Sequence, residues 1–255
     1  LKRDCLSGID SLCFHILLDA VLKSVCFLHS GKLMEQIRED DNQEDWMSRL
    51  PEKLLDIPLT NLAIPGETMK TIGESKEFWP ELPSKILHYS RGQVINIVEQ
   101  LQAGIRYFDL RVAHKQYDTS SELYFTHIIY THATVIETLE TVNLWLESHP
   151  KEIIILACRN FEGMSDELHE GFIYALKNIF RSKLCPVNET LVTLRRLWAL
   201  GCQVVLSYED PQSTIRHKEL WPAIQYLWAN KPNAEELIQY MECKKQLGRP
   251  GERSF

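Results

Sequence analysis

The sequence has no CxxC pair, no basic stripe interleaved with aromatic residues, no internal repeat and no low-complexity tract. Each absence removes a class of function. The seven cysteines, Cys5, Cys13, Cys26, Cys158, Cys185, Cys202 and Cys243, are scattered and odd in number. They lack the paired spacing of a zinc site and read as reduced thiols of a cytosolic protein. Acidic residues outnumber basic ones, 35 to 28, which argues against nucleic acid as a partner. Any anionic ligand must then be held by local positive charge. Long apolar runs are scarce as well. Residues 12–28, LCFHILLDAVLKSVCFL, are broken by Asp19 and Lys23, and no cleavage site of the A-x-A kind follows. They are expected either to form an amphipathic helix lying on the domain or a membrane surface, or to have no fold of their own.

The chain does have enough apolar residues, 44% of 255, to bury a large core. It begins at Leu1 rather than Met, as a fragment or a processed form does. The charge run EQIREDDNQED over 35–45 reads as a solvated linker, so residues 1–45 are an N-terminal extension and residues 46–255 one domain. Within it, LTNLAI (59–64) alternates like a strand stopped by Pro65-Gly66. Residues 93–103 carry Val94, Ile97, Val98 and Leu101 on one helical face, closed by Gly104. Val135, Leu139, Val142 and Leu146 mark a second helix, ended at His149-Pro150. Residues 153–157 and 203–207 are apolar runs of the parallel-strand kind. Ser165 caps a helix with Leu168, Phe172, Ala175 and Ile179 inward, a short strand is expected near Tyr226-Leu227-Trp228, and Asn233 with Glu236 opens a last helix. Strands alternating with helices predict a parallel α/β sheet or (β/α) barrel, whose functional groups sit at the C-terminal ends of the strands.

Residues 103–130, AGIRYFDLRVAHKQYDTSSELYFTHIIY, place Asp109, Arg111, Thr126 and His127 within runs that otherwise read as buried strand. Asp109 and Arg111 are two apart and share one face. Two readings stand side by side: a satisfied structural ion pair with a core histidine, or an acid, a guanidinium and an imidazole converging on a site. About ten polar residues join the strand of Arg111 to that of His127, short for a parallel crossover. His132 reads as the start of the following helix, and His88, His114, His149, His169 and His217 as ordinary loop or helix-surface residues.

The ordered blocks DWMSRLPEKLLDIPLTNLAIPG, EQLQAGIRYFDLRVAH, LYFTHIIYT, HPKEIIILACRNFEG, LWALGCQVVLSYED and LWPAIQYLWANK resemble the phosphatidylinositol-specific phospholipase C X-domain-containing proteins. The resemblance runs from about Trp46 to Gly251. It implies a distorted TIM-type (β/α) barrel and a phosphoric diester hydrolase that cleaves the bond between inositol phosphate and diacylglycerol, without a cofactor. In that chemistry a base takes the inositol 2-hydroxyl proton, the oxygen attacks phosphorus, and an acid protonates the leaving alkoxide. The resemblance assigns His127 as the acid. It assigns Arg111 as the arginine that replaces a calcium ligand, so no metal is expected. Asp109 orients Arg111 or raises the basicity of a histidine, and Arg159, in CRNFEG, is a candidate for the phosphoinositol pocket. The implied partner is phosphatidylinositol or a related phosphodiester lipid, and the implied location is cytoplasmic and peripheral at membranes.

The chain also departs from that pattern. Family members follow IPG with Ser-His-Asp, whereas here Gly66 runs into Glu67-Thr68-Met69, so the general-base histidine is missing. Glu67 stands nearest as a substitute base, although a carboxylate there also repels phosphate. The family continues into further strands past Gly251, so the barrel is expected to be incomplete at its C-terminus. Three functions remain open: a slowed phospholipase C, a non-catalytic binder of inositol phosphates or membranes through Arg111 and Arg159, or a truncated inactive product.

Overall fold

The computed structural model describes residues 43–68, 96–126, 130–189, 192–224 and 233–246. The 12–28 segment, His127, and the expected strand at 226–228 lie outside these residues.

The sheet is assembled on β2 (Tyr107–His114) and β5 (Ile154–Glu162), which run parallel and pair along most of their length. β6 (Val204–Tyr208) and β7 (Leu220–Trp221) continue the parallel order beyond β5. On the other side of β2 two strands share one edge. β1 (Gly66–Thr68) runs parallel to Tyr107, Phe108 and Asp109, while β3 (Leu123–Thr126) runs antiparallel to Val112, Ala113 and His114. β4 (Tyr130–Thr134) then pairs antiparallel with β3. The short link from Arg111 toward His127 is therefore a hairpin, as ten residues allow, and not a parallel crossover. This seven-stranded sheet ends at β4 and β7 and does not close among the described residues, leaving an incomplete barrel.

Alternation on these strands builds two cores. One face, with Phe108, Leu110, Val112, Ile154, Leu156, Val204 and Leu206, packs against α2 (Val135–Ser148) and α3 (Asp166–Phe180) through Leu139, Val142, Leu146, Phe172 and Leu176. The other face, with Tyr107, Ile155, Ala157, Val205 and Trp221, is the barrel interior. It is covered from below by Met47, Leu59, Leu62 and Ile64. Each fully buried aliphatic side chain contributes roughly 1.5–3 kcal/mol.

Helix starts follow the capping chemistry. Asn96 Oδ1 accepts from the amides of Val98 and Glu99, and the Glu99 carboxylate accepts from the Asn96 amide, so α1 begins at Ile97 (Ile97–Gln102) rather than at residue 93. Thr134 and Glu137 make the same box for α2, which leaves His132 in β4 rather than in the helix. Ser165 caps α3, Thr193 caps α4 (Leu194–Leu200) and Asp210 caps α5 (Pro211–Arg216). Asn233 Oδ1 accepts from the Glu236 amide at the start of α6 (Ala234–Gln246).

Further sequence expectations are corrected. Leu59–Asn61 is a 3-10 helix, not a strand, because Pro58 enters it at φ −52 and ψ 139 and its carbonyl takes the Asn61 amide. The strand begins only after Pro65, whose carbonyl accepts from Arg106 and Tyr107. In α3 the buried set is His169, Phe172, Ile173, Leu176 and Phe180, one step in phase from the expected stripe, so Leu168 is only partly covered. His169 is accordingly no surface residue: it is hydrogen-bonded to the buried Tyr208 hydroxyl at 2.8 Å. No helix among the described residues is long and apolar enough to cross a membrane.

Candidate functional site

On the interior face of β2 the apolar Tyr107 is followed by Asp109 and then Arg111, two residues apart each time, so the same wall turns from core to charge toward the C-terminal end. β5 does the same through Ile155, Ala157 and Arg159. The parallel register places Arg159 opposite Arg111, and Asp109 opposite Ala157. Two arginines thus stand side by side at the ends of neighbouring parallel strands, where barrel enzymes place their functional groups. Asp109 lies one layer below.

Asp109 is 1% exposed and serves both arginines. Arg159 Nε lies 3.3 Å from Oδ1 and Arg111 Nε 3.8 Å from Oδ2. Both approaches are Coulombic ion pairs rather than hydrogen bonds. The arginine side chains remain 14% and 20% exposed, so they open onto the mouth while the carboxylate stays below. With two guanidiniums against one carboxylate the cluster carries net positive charge in a chain that is negative overall. Planar, always-charged guanidiniums suit the oxygens of a phosphate, which they can bind two at a time.

The neighbouring groups limit what else the cluster can do. Cys158, beside Arg159 but facing the helices, is no nucleophile: burial and then the Asp109 charge push its thiol far up. Ser207 on β6 is also buried, and its hydroxyl is spent, donating to the Pro222 carbonyl and accepting from the Ile224 amide.

The structure thus joins Asp109, Arg111 and Arg159, with Arg159 the nearer partner of the aspartate. Glu67 sits in β1 opposite Phe108, and the next residue, Thr68, is opposite Asp109. β1 is thus the strand next to the cluster, with Thr68 rather than Glu67 in register with Asp109. His127 lies outside the described residues, and β3 ends at Thr126 just before it.

Glu209, at the C-terminal end of β6, is passed over by sequence reasoning although a carboxylate directly after the buried VVLSY run marks it. Its amide donates to the Cys158 carbonyl at 3.0 Å, and its carboxylate accepts from the Asn160 amide. Among the described residues no cluster of three or more His, Cys, Asp or Glu side chains has the arrangement of a metal site.

The PI-PLC X 1 family model matches residues 87–229. The human PI-PLC X domain-containing protein 1 is 45% identical over 226 residues, covering 82% of this chain and 70% of that protein. The human PI-PLC X domain-containing protein 3 is 37% identical over 220 residues, covering 78% and 68%. Among solved structures, a phosphatidylinositol-specific phospholipase C variant from Staphylococcus aureus matches with a TM-score of 0.51 at 19% identity. That match covers 74% of this chain and only 60% of the bacterial protein, and it concerns the fold alone. An unclosed α/β barrel with arginines at the ends of β2 and β5, a family match across both strands, and relatives at this identity lead to one statement: the chain belongs to the PI-PLC X domain family.

Proposed function

We propose that this chain takes the phosphodiester head group of phosphatidylinositol, or of a related lipid, at Arg111 and Arg159. We further propose that it is a phosphoric diester hydrolase of the phospholipase C type, slowed by the loss of its first histidine. The observation that carries the reading is the pair of guanidiniums set on neighbouring strand ends by one buried aspartate. Positive charge held in place before the phosphate arrives stabilises the charge that builds on its oxygens during in-line attack. Asp109 keeps both arginines oriented, His127 protonates the leaving alkoxide, and Glu67 is the carboxylate nearest the place of the missing base. Arg111, standing where a calcium ligand would, repels divalent cations, so the reaction runs without calcium or a cofactor. A lipid substrate makes the protein peripheral at cytoplasmic membrane surfaces.

A second reading rests on Glu67 standing in the place of Ser-His-Asp: the chain binds inositol phosphates and does not turn them over. One assay separates the two. The purified chain, and its His127→Ala and Arg111→Ala variants, are incubated with phosphatidylinositol vesicles and the release of inositol 1,2-cyclic phosphate is measured. General-base catalysis contributes about 10²–10⁴-fold, so turnover is expected to be slower by at least that much than in a relative with both histidines. It is expected to vanish in both variants. Turnover that survives His127→Ala would refute the assignment of the acid, and binding without any release would favour the second reading.

A further inference from the structure

The two hydrogen bonds of Glu209 fall on either side of Arg159. Its amide donates to the carbonyl of Cys158 and its carboxylate accepts from the amide of Asn160. The first bond follows directly on the last ladder pair between the strands, Cys158 opposite Tyr208. The second stands where the ladder fails. Asn160 turns into the left-handed region at φ 50, a conformation that asparagine tolerates better than most non-glycine residues but that persists only where the surroundings hold it. Pairing with β2 slips at the same place: Arg111 is opposite Arg159, yet Ala113 is opposite Glu162, so β5 carries one extra residue after Arg159. Such a bulge bends the strand and re-aims the side chains beside it. Farther along, Gly163 at φ 67 lies so close to β2 that a Cβ would come within 2.8 Å of the His114 carbonyl oxygen. The bulge is therefore pinned downstream by β2, and at Arg159 itself by Glu209.

Glu209 is itself firmly held. It lies between the buried Tyr208 and Asp210, whose carboxylate accepts from the Ser213 amide as the N-cap of α5. Its carboxylate is thus presented by a strand end fused to a helix start, the kind of rigid element on which site geometry is best kept.

We propose that Glu209 is a positioning residue for phosphate recognition: by fixing the backbone on both sides of Arg159, it sets the direction in which that guanidinium leaves β5. This rests on the reading of the cluster as an inositol-phosphate pocket. The sign of its effect is diagnostic. A carboxylate that merely added negative charge near the pocket would repel phosphate, and its removal would tighten binding. A positioning carboxylate, once removed, weakens binding.

The test uses the whole chain with Glu209→Gln, Glu209→Ala, Arg159→Ala and the Arg159→Ala/Glu209→Ala double variant. Without ligand, nuclear magnetic resonance follows the Asn160 amide and the Arg159 Nε–Hε group. The Asn160 amide proton should move upfield in Glu209→Gln, where a neutral oxygen replaces the carboxylate, and farther in Glu209→Ala. The Arg159 signal should keep its position in Glu209→Gln, whose amide oxygen still accepts, and shift in Glu209→Ala, where Arg159 stays paired with Asp109 but leaves β5 in a different direction. With inositol 1-phosphate, Glu209→Ala should bind about tenfold more weakly, and Glu209→Gln should lose less, because its amide oxygen still accepts from Asn160 although the bond is no longer charge-assisted. The double variant should be no weaker than Arg159→Ala alone. Tighter binding by Glu209→Ala, additive losses, or unmoved Asn160 and Arg159 signals in Glu209→Ala would each overturn the proposal. A wild type that ignores inositol 1-phosphate would remove the pocket reading and with it the phosphate half of the proposal, while the two ligand-free signals still report separately on the anchoring. If Glu209→Ala does not fold, Glu209→Gln decides: an Asn160 amide signal that does not move in that variant overturns the proposal.

Discussion

Asp109 gives up nearly all of its water, and Arg111 and Arg159, which approach its two oxygens, help make its charge tolerable there. Asp109→Ala takes away the carboxylate and leaves two guanidiniums facing each other from neighbouring strands. Breaking a fully buried pair costs about 3–5 kcal/mol, and the partial exposure of the arginines reduces this, so a loss of about 2–3 kcal/mol is expected in urea unfolding. A loss below about 0.5 kcal/mol would show that water at the mouth, not the aspartate, solvates the arginines. A second single residue sets a pH dependence. Burial of His169 lowers its pKa, outweighing the nearby carboxylates of Asp210, Asp166 and Glu170, which raise it. The folded state thus prefers the neutral ring. That contribution is fully present above the unfolded value of 6.5 and is lost as pH falls from there through the lowered folded value. Melting temperatures between pH 7.5 and 5.5 should fall less steeply in His169→Gln than in the wild type.

At the scale of elements, the sequence is legible where one period runs long enough to be unmistakable. The stripe at Val135, Leu139, Val142 and Leu146 and the run at 153–157 reappear as α2 and β5, and Asp109 and Arg111 share a face as their spacing requires. What is hidden depends on partners distant in sequence. Leu59 and Leu62 are buried at a spacing of three, which a six-residue alternation conceals. The hairpin edge of β3 is known only from its pairing with His114 and Val112. The approach of Arg159 to Asp109 needs the β2–β5 register, and Glu209 needs β6 as well. Two left-handed positions in the connections of this region should respond in opposite ways to substitution. Gly163→Ala adds a methyl both at φ 67 and against the His114 carbonyl, so it should destabilise by at least about 2 kcal/mol. Tyr117, at φ 65 and 92% exposed in the β2–β3 loop, packs against little. Tyr117→Gly should therefore be neutral or stabilising by up to about 1 kcal/mol. Thermal melts of the two variants moving the same way would contradict this account of the loops.

At the scale of the whole molecule the two ends of the sheet do different work. The C-terminal ends hold the arginine cluster, while the N-terminal ends hold a buried ion pair with no access to it. Arg106, just before β2, donates from Nε to Glu152 Oε2 at 2.8 Å, and both side chains are 0% exposed. Burial pushes the Glu152 carboxyl up and the Arg106 guanidinium down, and the opposite charge of each partner pulls it back. The remaining polar atoms are used to close the base of the barrel. Glu152 Oε1 accepts from the amides of Met47 and Ser48, and Arg106 donates to the carbonyls of Leu101, Ile105 and Glu44. The Trp145 ring lies 4.7 Å from the guanidinium, and His149, stacked on it, meets the Glu44 carboxylate at 3.1 Å. Residues 44–48 are thereby tied beneath the strands, including Glu44, which composition alone places in a solvated linker. Glu152→Leu strands a buried guanidinium and frees the amides of Met47 and Ser48, so a loss of about 3–5 kcal/mol is expected. Arg106→Met/Glu152→Leu removes both charges and should recover much of that loss, with a favourable coupling in the double-mutant cycle. Urea unfolding of the four proteins measures it. Losses that simply add would mean the pair is not what closes the base, and a drop in inositol 1-phosphate binding by the folded double variant would mean that the two ends of the sheet are not independent.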